Sequence, residues 1–382
     1  MQNRIDQWIL FTVLGLMAFG LIMVYSSSAF YADKFRHDHL YYLKRQILWV
    51  FFGIVLMVST YKIPYKIFEG KSWLLIFLSV GLLTYLLANG GGRWIHTRLI
   101  NIQVSDIARL SIIIFLADSL SRKEQYLKNF GEGFMPHLFY ILLLAGLIVA
   151  QPDFSSAAML VLIGVLIMFI SPIPFRYFAL SFIVVAPVAI LIVTLTSYQW
   201  DRIEAFLHPE NDVLGKGYQI IQSLISLGAG GITGVGFAKG SQKLFFLPEA
   251  HTDFIFSIIG EEWGLIGTFF VVSLFFILFW RGIYLAHRAR DQFSRYLAFG
   301  LTMNLVVYAL INMMVAAHLV PPTGLPLPFI SYGGSSMLIS SISAGLLLNI
   351  SARTCSEVQE NSYQFAHRAQ RNLENRKLSF VR

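Results

Sequence analysis

The sequence predicts an all-α polytopic membrane protein of about ten spans with one long extracytoplasmic loop, and three observations carry that reading. Hydrophobic residues make up 56% of the 382 and charged ones 13%. The apolar residues fall in runs of helix length rather than in short alternating strands. The Lys and Arg behind the net charge of +8 are scattered in short segments between those runs, which reads as an orientation signal rather than a nucleic-acid surface. The single cysteine, Cys355, excludes an internal disulfide and any cysteine-based metal site.

In chain order, residues 8–26 form a first span, too long for the apolar core of a signal peptide and so expected to stay uncleaved. Further spans are expected at 47–63, 73–88, 104–120, 134–150, 154–170, 178–197, 254–280, 296–320 and 329–350, each near the ~20 residues that cross a bilayer or shortened at a polar end. Asp106 and Arg109 interrupt the fourth. The fifth has a clean apolar run only over 138–150, a length equally compatible with a re-entrant segment. Ten spans put both termini on one side. The segments on that side hold 18 of the 29 Lys and Arg, against 10 on the other, which predicts cytoplasmic termini. The cluster of Lys34, Arg36, Lys44 and Arg45 runs against that bias and reads as membrane-surface anchoring. The membrane domain then covers 1–351, with a cytoplasmic tail over 352–382.

The long loop, 198–252, far exceeds the usual connection of about 2–8 residues between helices. Within it Tyr218 to Leu227 is amphipathic and is expected to lie in the interface before a glycine-rich stretch, 228–240, turns it back. That stretch has neither dinucleotide nor P-loop spacing and no preceding strand, so a nucleotide site is not expected.

The chain's chemistry is concentrated at the end of this loop, in Lys243-Leu-Phe-Phe-Leu-Pro-Glu-Ala-His-Thr-Asp-Phe-Ile-Phe-Ser-Ile-Ile-Gly-Glu-Glu262. Ionisable groups beside a membrane segment are costly and call for a reason. Asp253 is followed at once by an apolar helix that would partly desolvate it, raising its pKa toward that of a useful base. Glu249 and His251 read either as a hydrated loop or as part of the same site. Four further groups fall on the same expected outer side. Gly90-Gly-Gly-Arg93-Trp94, with Arg98 beyond, suits an anionic headgroup or an aromatic belt. Asp106 and Arg109, one helical turn apart, form either an internal pair or part of the site. Asp153 sits in Gln151-Pro-Asp-Phe-Ser-Ser and serves equally as a helix N-cap. The prolines of 321–328 stop a regular helix and bring Ser331, Tyr332 and Ser335 to membrane depth, where broken backbone is tolerated only inside protein or along a cavity. Lone Asn304, Asn312 and Asn349 read as helix glue. These residues predict an outward-facing cavity with cations for phosphate and one carboxylate as base, which fits a lipid-linked phosphorylated substrate. Transfer of a sugar from pyrophosphate needs a base on the acceptor more than an acid on the leaving group.

Gly217-Tyr-Gln-Ile-Ile-Gln-Ser, Leu247-Pro-Glu-Ala-His-Thr-Asp-Phe-Ile-Phe, Ile259-Gly-Glu-Glu, Gln151-Pro-Asp-Phe and Pro326-Leu-Pro-Phe-Ile-Ser-Tyr-Gly-Gly-Ser-Ser together resemble the SEDS family (shape, elongation, division and sporulation proteins) across essentially the whole membrane portion. Gln242-Lys243, Pro-Glu-Ala-His and Ile-Ile-Gly-Glu-Glu lean toward its division branch, with the elongation and sporulation branches as near alternatives. The resemblance implies ten membrane helices and a peptidoglycan glycosyltransferase that polymerises lipid II at the outer face of the cytoplasmic membrane, at the septum, in complex with a class B penicillin-binding protein and other division proteins. It puts the family's essential aspartate on Asp253 and its Arg-Trp pair on Arg93 and Trp94. Two departures stand out: Gln103-Val-Ser-Asp-Ile-Ala-Arg109 where the family commonly has Gln-Pro-Ser-Glu-Leu-Ala-Lys, and Ser155-Ser156 where it has Gly-Thr.

The leading expectation is therefore an inverting glycosyltransferase in which Asp253 deprotonates the acceptor hydroxyl. Arg93 and Lys243 hold the pyrophosphate, with a divalent cation, Mg or Mn, as an optional further clamp. A lipid II flippase is the alternative from another class, and it calls for a charged route across the bilayer. A scaffold for division partners would leave the acidic motif without a purpose.

Overall fold

The computed structural model describes residues 5–96, 101–212, 215–244 and 246–354. Arg98 and nearly all of the expected tail lie outside them. Ten helices coincide with the ten expected spans, and their bounds follow from local chemistry.

Helix α1, Gln7–Arg36, begins at Asp6, whose carboxylate accepts from the Trp8 and Ile9 amides at 3.0 and 3.2 Å. It outruns the expected span because Ser27 and Ser28 donate back to the Met23 and Val24 carbonyls at 2.7 and 2.6 Å, so the serine run does not compete with the helix. It ends at His37, in the left-handed region at φ 54°. Next come α2, Tyr41–Lys62, and α3, Trp73–Ala88. After α3 the chain forms a feature that the sequence pattern did not announce, a small antiparallel hairpin of β1, Trp94–His96, and β2, Asn101–Gln103.

Helix α4, Val104–Arg122, carries charges yet is continuous, and fifteen of its 19 residues are buried. Its position explains this: it packs against α3, α11 (Gln292–Ala316) and α6 (Phe154–Phe169), so protein rather than lipid surrounds Asp106 and Arg109. The fifth expected span is no re-entrant segment. A wide turn at Phe130–Phe134 runs into α5, Met135–Val149, and the two together make a 20-residue apolar helix. Helix α7, Phe175–Leu195, buries none of its apolar window; its start packs on the bundle through Tyr177 and Phe178 against Phe130, Phe134 and Phe169, and its end adjoins α8, Ser197–Leu207.

The expected long loop is largely helical. It contains α8 and α9, Lys216–Gly230, which includes the stretch read as amphipathic. Helix α10, Ile255–Arg288, breaks at Gly264, where φ is 63°. The glycine-rich stretch fits into that break: a Cβ at Gly230 would lie 1.8 Å from the Gly260 carbonyl oxygen, and one at Gly234 2.1 Å from that of Glu262. Only glycine permits such close backbone approach. The last helix is α12, Gly334–Thr354. Among the described residues, seven helices are long and apolar enough to cross a membrane by themselves, while α3, α4 and α6 complete the ten as shorter or more polar inner members.

Candidate active site

A cavity of about 250 Å³ opens at the end of the bundle opposite the described N-terminal residues, between the hairpin, the starts of α4 and α6, α8, and the turns flanking α10 and α11. Asp253, Arg93, Trp94, Asp106 and Asp153 all line it.

Asp253 sits on a turn whose backbone is pinned on every side. Ser331 donates to the Thr252 carbonyl at 2.5 Å and the Tyr332 amide to the His251 carbonyl at 2.9 Å. Asn312 donates to the carbonyls of Asp253 and Leu325, both at 2.8 Å, joining α11 to the two turns that frame the cavity. Glu249 closes the turn in the left-handed region, at φ 53°, and its side chain accepts from Thr252 at 2.8 Å. Among the described residues nothing donates to the Asp253 carboxylate. Burial therefore pushes its pKa up to about 7, with the negative charge of Glu249 adding to the rise and Arg202 opposing it.

The other charges of the cavity are mostly committed. Arg109 pairs with Asp106 at 3.0 Å and lies 3.7 Å over the Tyr308 ring, while Ser335 donates to Asp106 at 2.8 Å. Asp153 caps α6 through the Ser156 amide at 3.3 Å and accepts from Gln103 at 2.9 Å and Ser105 at 3.3 Å. The cap thus also ties α6 to the start of α4. Arg93 donates to the Gln151 carbonyl at 3.2 Å and to that of Pro152, which seats its guanidinium on the turn before Asp153. Trp94 is 40% exposed at the rim.

Several sequence candidates lie elsewhere. Lys243 does not line the cavity; it is buried in an ion pair with Glu262 and donates to Ser26 at 2.9 Å. A lysine free to hold phosphate would need exposure that this one lacks. Its neighbour Glu261 is likewise taken, accepting from the Ser241 and Gln242 amides at 2.6 and 3.2 Å and from Ser226 at 3.2 Å. Adjacent Glu261 and Glu262 thereby staple the glycine-rich stretch to α10. His251 lies outside the cavity among Tyr31, Tyr42 and Tyr332, and burial holds its pKa below the usual imidazole range, with Glu249 opposing. Ser331 and Tyr332 brace the Asp253 turn rather than face the cavity, and Glu249 is exposed beside it.

The sequence reading missed Arg202. It stands on α8 within the same cavity, donating to Ser155 at 3.0 Å and to Tyr198 at 2.9 Å. Tyr198 and Arg202, four residues apart on an amphipathic helix, share a face, and that spacing was the available signal. Among the described residues no group of three or more His, Cys, Asp or Glu is arranged to hold a metal ion. The arrangement offers two guanidinium groups for an anion and, close by, a carboxylate that changes charge near neutrality, which suits deprotonation of a hydroxyl.

A family model described as "Cell cycle protein", covering FtsW, RodA and SpoVE, matches residues 7–356. A protein of Trichlorobacter lovleyi named probable peptidoglycan glycosyltransferase FtsW is 40% identical over 91% of this chain and 93% of its own length. A Coxiella burnetii protein of the same name is 36% identical over 91% of this chain and 96% of its own. Among solved structures, a chain from work on how a peptidoglycan synthase complex coordinates polymerization and crosslinking superposes with a TM-score of 0.75 at 26% identity, over 92% of this chain and 98% of that one. The Thermus thermophilus rod shape determining protein RodA shares the fold, with a TM-score of 0.67 at 22% identity over 91% of this chain and 96% of its own.

Proposed function

The chain belongs to the FtsW, RodA and SpoVE family of cell cycle proteins, and from that premise we propose that it is the peptidoglycan glycosyltransferase of cell division, polymerising lipid II by an inverting transfer. The observation that carries the mechanism is the placement of Asp253, a carboxylate without donors among the described residues, on the wall of a cavity that also holds Arg93 and Arg202.

In this reading Asp253 accepts the proton of the acceptor sugar hydroxyl. The oxygen's electron pair attacks the donor's anomeric carbon and forms the glycosidic bond, while the bond to the pyrophosphate oxygen breaks and its electrons leave with the lipid pyrophosphate. Arg93 stabilises the charge developing there. The cavity carboxylates Asp106 and Asp153 are taken by their own donors, so a divalent cation in the reaction would be held chiefly by the substrate's phosphates. Trp94 at the rim offers a flat face to the lipid-linked headgroup.

The Lys and Arg bias supports cytoplasmic termini and a cavity open to the outer leaflet. Identity with FtsW relatives supports a septal location, and the likeness to a synthase-complex chain supports a class B penicillin-binding partner. The RodA-like elongation reading shares the fold.

The test is polymerisation of purified lipid II in proteoliposomes by the complex with a transpeptidase-inactive partner. Asp253→Asn keeps the side chain's size and polarity but loses its basicity, and it should cut the rate at least ~100-fold while lipid II binding stays near normal. Wild-type polymer from that variant would remove Asp253 from the mechanism. No polymer from the unaltered complex, together with Asp253-dependent movement of labelled lipid II across the bilayer, would replace transfer with transport.

A further inference from the structure

Asp253 and Arg202 come from distant parts of the chain and meet over Gly324. A side chain begun at Gly324 would start 3.4 Å from the Asp253 carboxylate and 3.9 Å from the Arg202 guanidinium, so the two charges stand within 8 Å of each other. Among the described residues neither has a charged partner of its own at bonding distance. Arg202 spends its two terminal nitrogens on neutral hydroxyls, those of Ser155 and Tyr198, and its buried Nε has no partner. A cation and a carboxylate left in this state inside one partly dry cavity stabilise each other across the gap.

The remaining charges around Asp253 are occupied. From α4, Asp106 and Arg109 neutralise each other, and Arg109 also covers Tyr308 of α11. Before α6, Asp153 is held by Gln103, Ser105 and its own cap, and Arg93 is seated on two carbonyls. On the turn itself His251 packs among tyrosines, leaving Glu249 as the nearby anion that works against ionisation.

We infer that Arg202 is a positioning residue that keeps Asp253 ionised, so that α8, by seating its guanidinium beside the cavity, sets the acidity at which the base becomes competent. The inference rests on Asp253 acting as base. It is consistent with Arg202 lowering an Asp253 pKa that burial and Glu249 raise. The low end of the enzyme's working pH range is then set by a helix outside the catalytic turn.

The experiment measures initial polymerisation rate against pH, from about pH 5 to about pH 9, for the full-length protein in its complex. Arg202→Gln should move the acid limb upward by about one pH unit or more, as expected for removing a charge at this separation. Its rate at about pH 6 falls roughly tenfold further than its rate at about pH 9. Arg202→Lys keeps the charge and should leave the limb within a few tenths of a unit of wild type. An Arg202→Gln variant slowed equally at all pH values, with an unmoved limb, overturns the inference, because a purely structural or substrate-holding arginine behaves that way. Should Arg202→Gln fail to assemble, Tyr198→Phe combined with Ser155→Ala frees the guanidinium and should move the limb in the same direction by less; no movement there also overturns it. Asp253→Asn is run alongside. If it polymerises normally the base assignment fails, whereas if it is inactive and the Arg202 variants keep the wild-type limb, only the role of Arg202 fails.

Discussion

A carboxylate that must be desolvated to become a useful base destabilises the fold that holds it, and both sides follow for Asp253 if it is the base proposed above. With a folded pKa of about 7 against an ordinary value of 3.8, the polymerisation rate should fall about tenfold per pH unit below pH 7, read from the acid limb of the rate profile. Stability follows the opposite course. The folded state holds its proton to higher pH than the unfolded chain, so the stabilisation present below about pH 4 is lost as pH rises to about 7. Asp253→Asn has no such loss. Its melting temperature relative to wild type should climb between about pH 4 and pH 7 and then level off; a constant difference would mean an unshifted carboxylate. Arg93→Ala removes a guanidinium from the same cavity and should weaken lipid II binding and slow the reaction together, by about 1.5–3 kcal/mol, while unchanged binding with reduced protein levels would make it structural only.

Between elements, the contact of the glycine-rich stretch with the start of α10, the helix that follows the Asp253 turn, leaves no room for a side chain. Gly230→Ala would drive a methyl into the Gly260 carbonyl and should lower the amount of folded protein recovered from membranes. Gly228→Ala, with nothing within 4 Å, should be tolerated. The buried Lys243 and Glu262 pair belongs to the same contact. Breaking it with Lys243→Met leaves an uncompensated buried carboxylate and should cost about 3–5 kcal/mol. The double variant Lys243→Met, Glu262→Met should recover most of that loss. Equal losses in the single and double variants, measured by thermal unfolding in detergent, would show that the lysine holds no compensating charge.

For the whole molecule, the mechanism requires the cavity to face outward. Lys239→Cys lies on an exposed part of the glycine-rich stretch and should react with an impermeant thiol reagent on intact spheroplasts, while native Cys355 should not. The reverse labelling would place the cavity in the cytoplasm. The exposure of most of α7 also belongs to this scale. With no buried apolar window, it depends on lipid or a partner for its packing, a dependence that its sequence, uniformly apolar like the other spans, does not reveal.

The number and order of the membrane helices, the amphipathic segment before the glycines and the residues around Asp253 were all legible in the sequence, because hydrophobic run length and local turn chemistry are local properties of a chain. Charge alone could not tell Lys243 from Arg202. Both are basic residues of the same long segment, yet one folds against Glu262 and is neutralised, while the other lies along α8, bonded to two hydroxyls and over the Tyr198 ring. Whether Ser331 and Tyr332 faced substrate or braced the turn was equally hidden, since that depends on which carbonyls the turn at 249–253 presents to them. The sequence by itself determined a ten-helix membrane protein with an acidic motif at one end. Only the tertiary structure decided which cations reach that motif, because residues as far apart as Arg93, Arg202, Asp253 and Gly324 become neighbours only when the packing of α4, α6, α8, α10 and α11 closes one cavity around them.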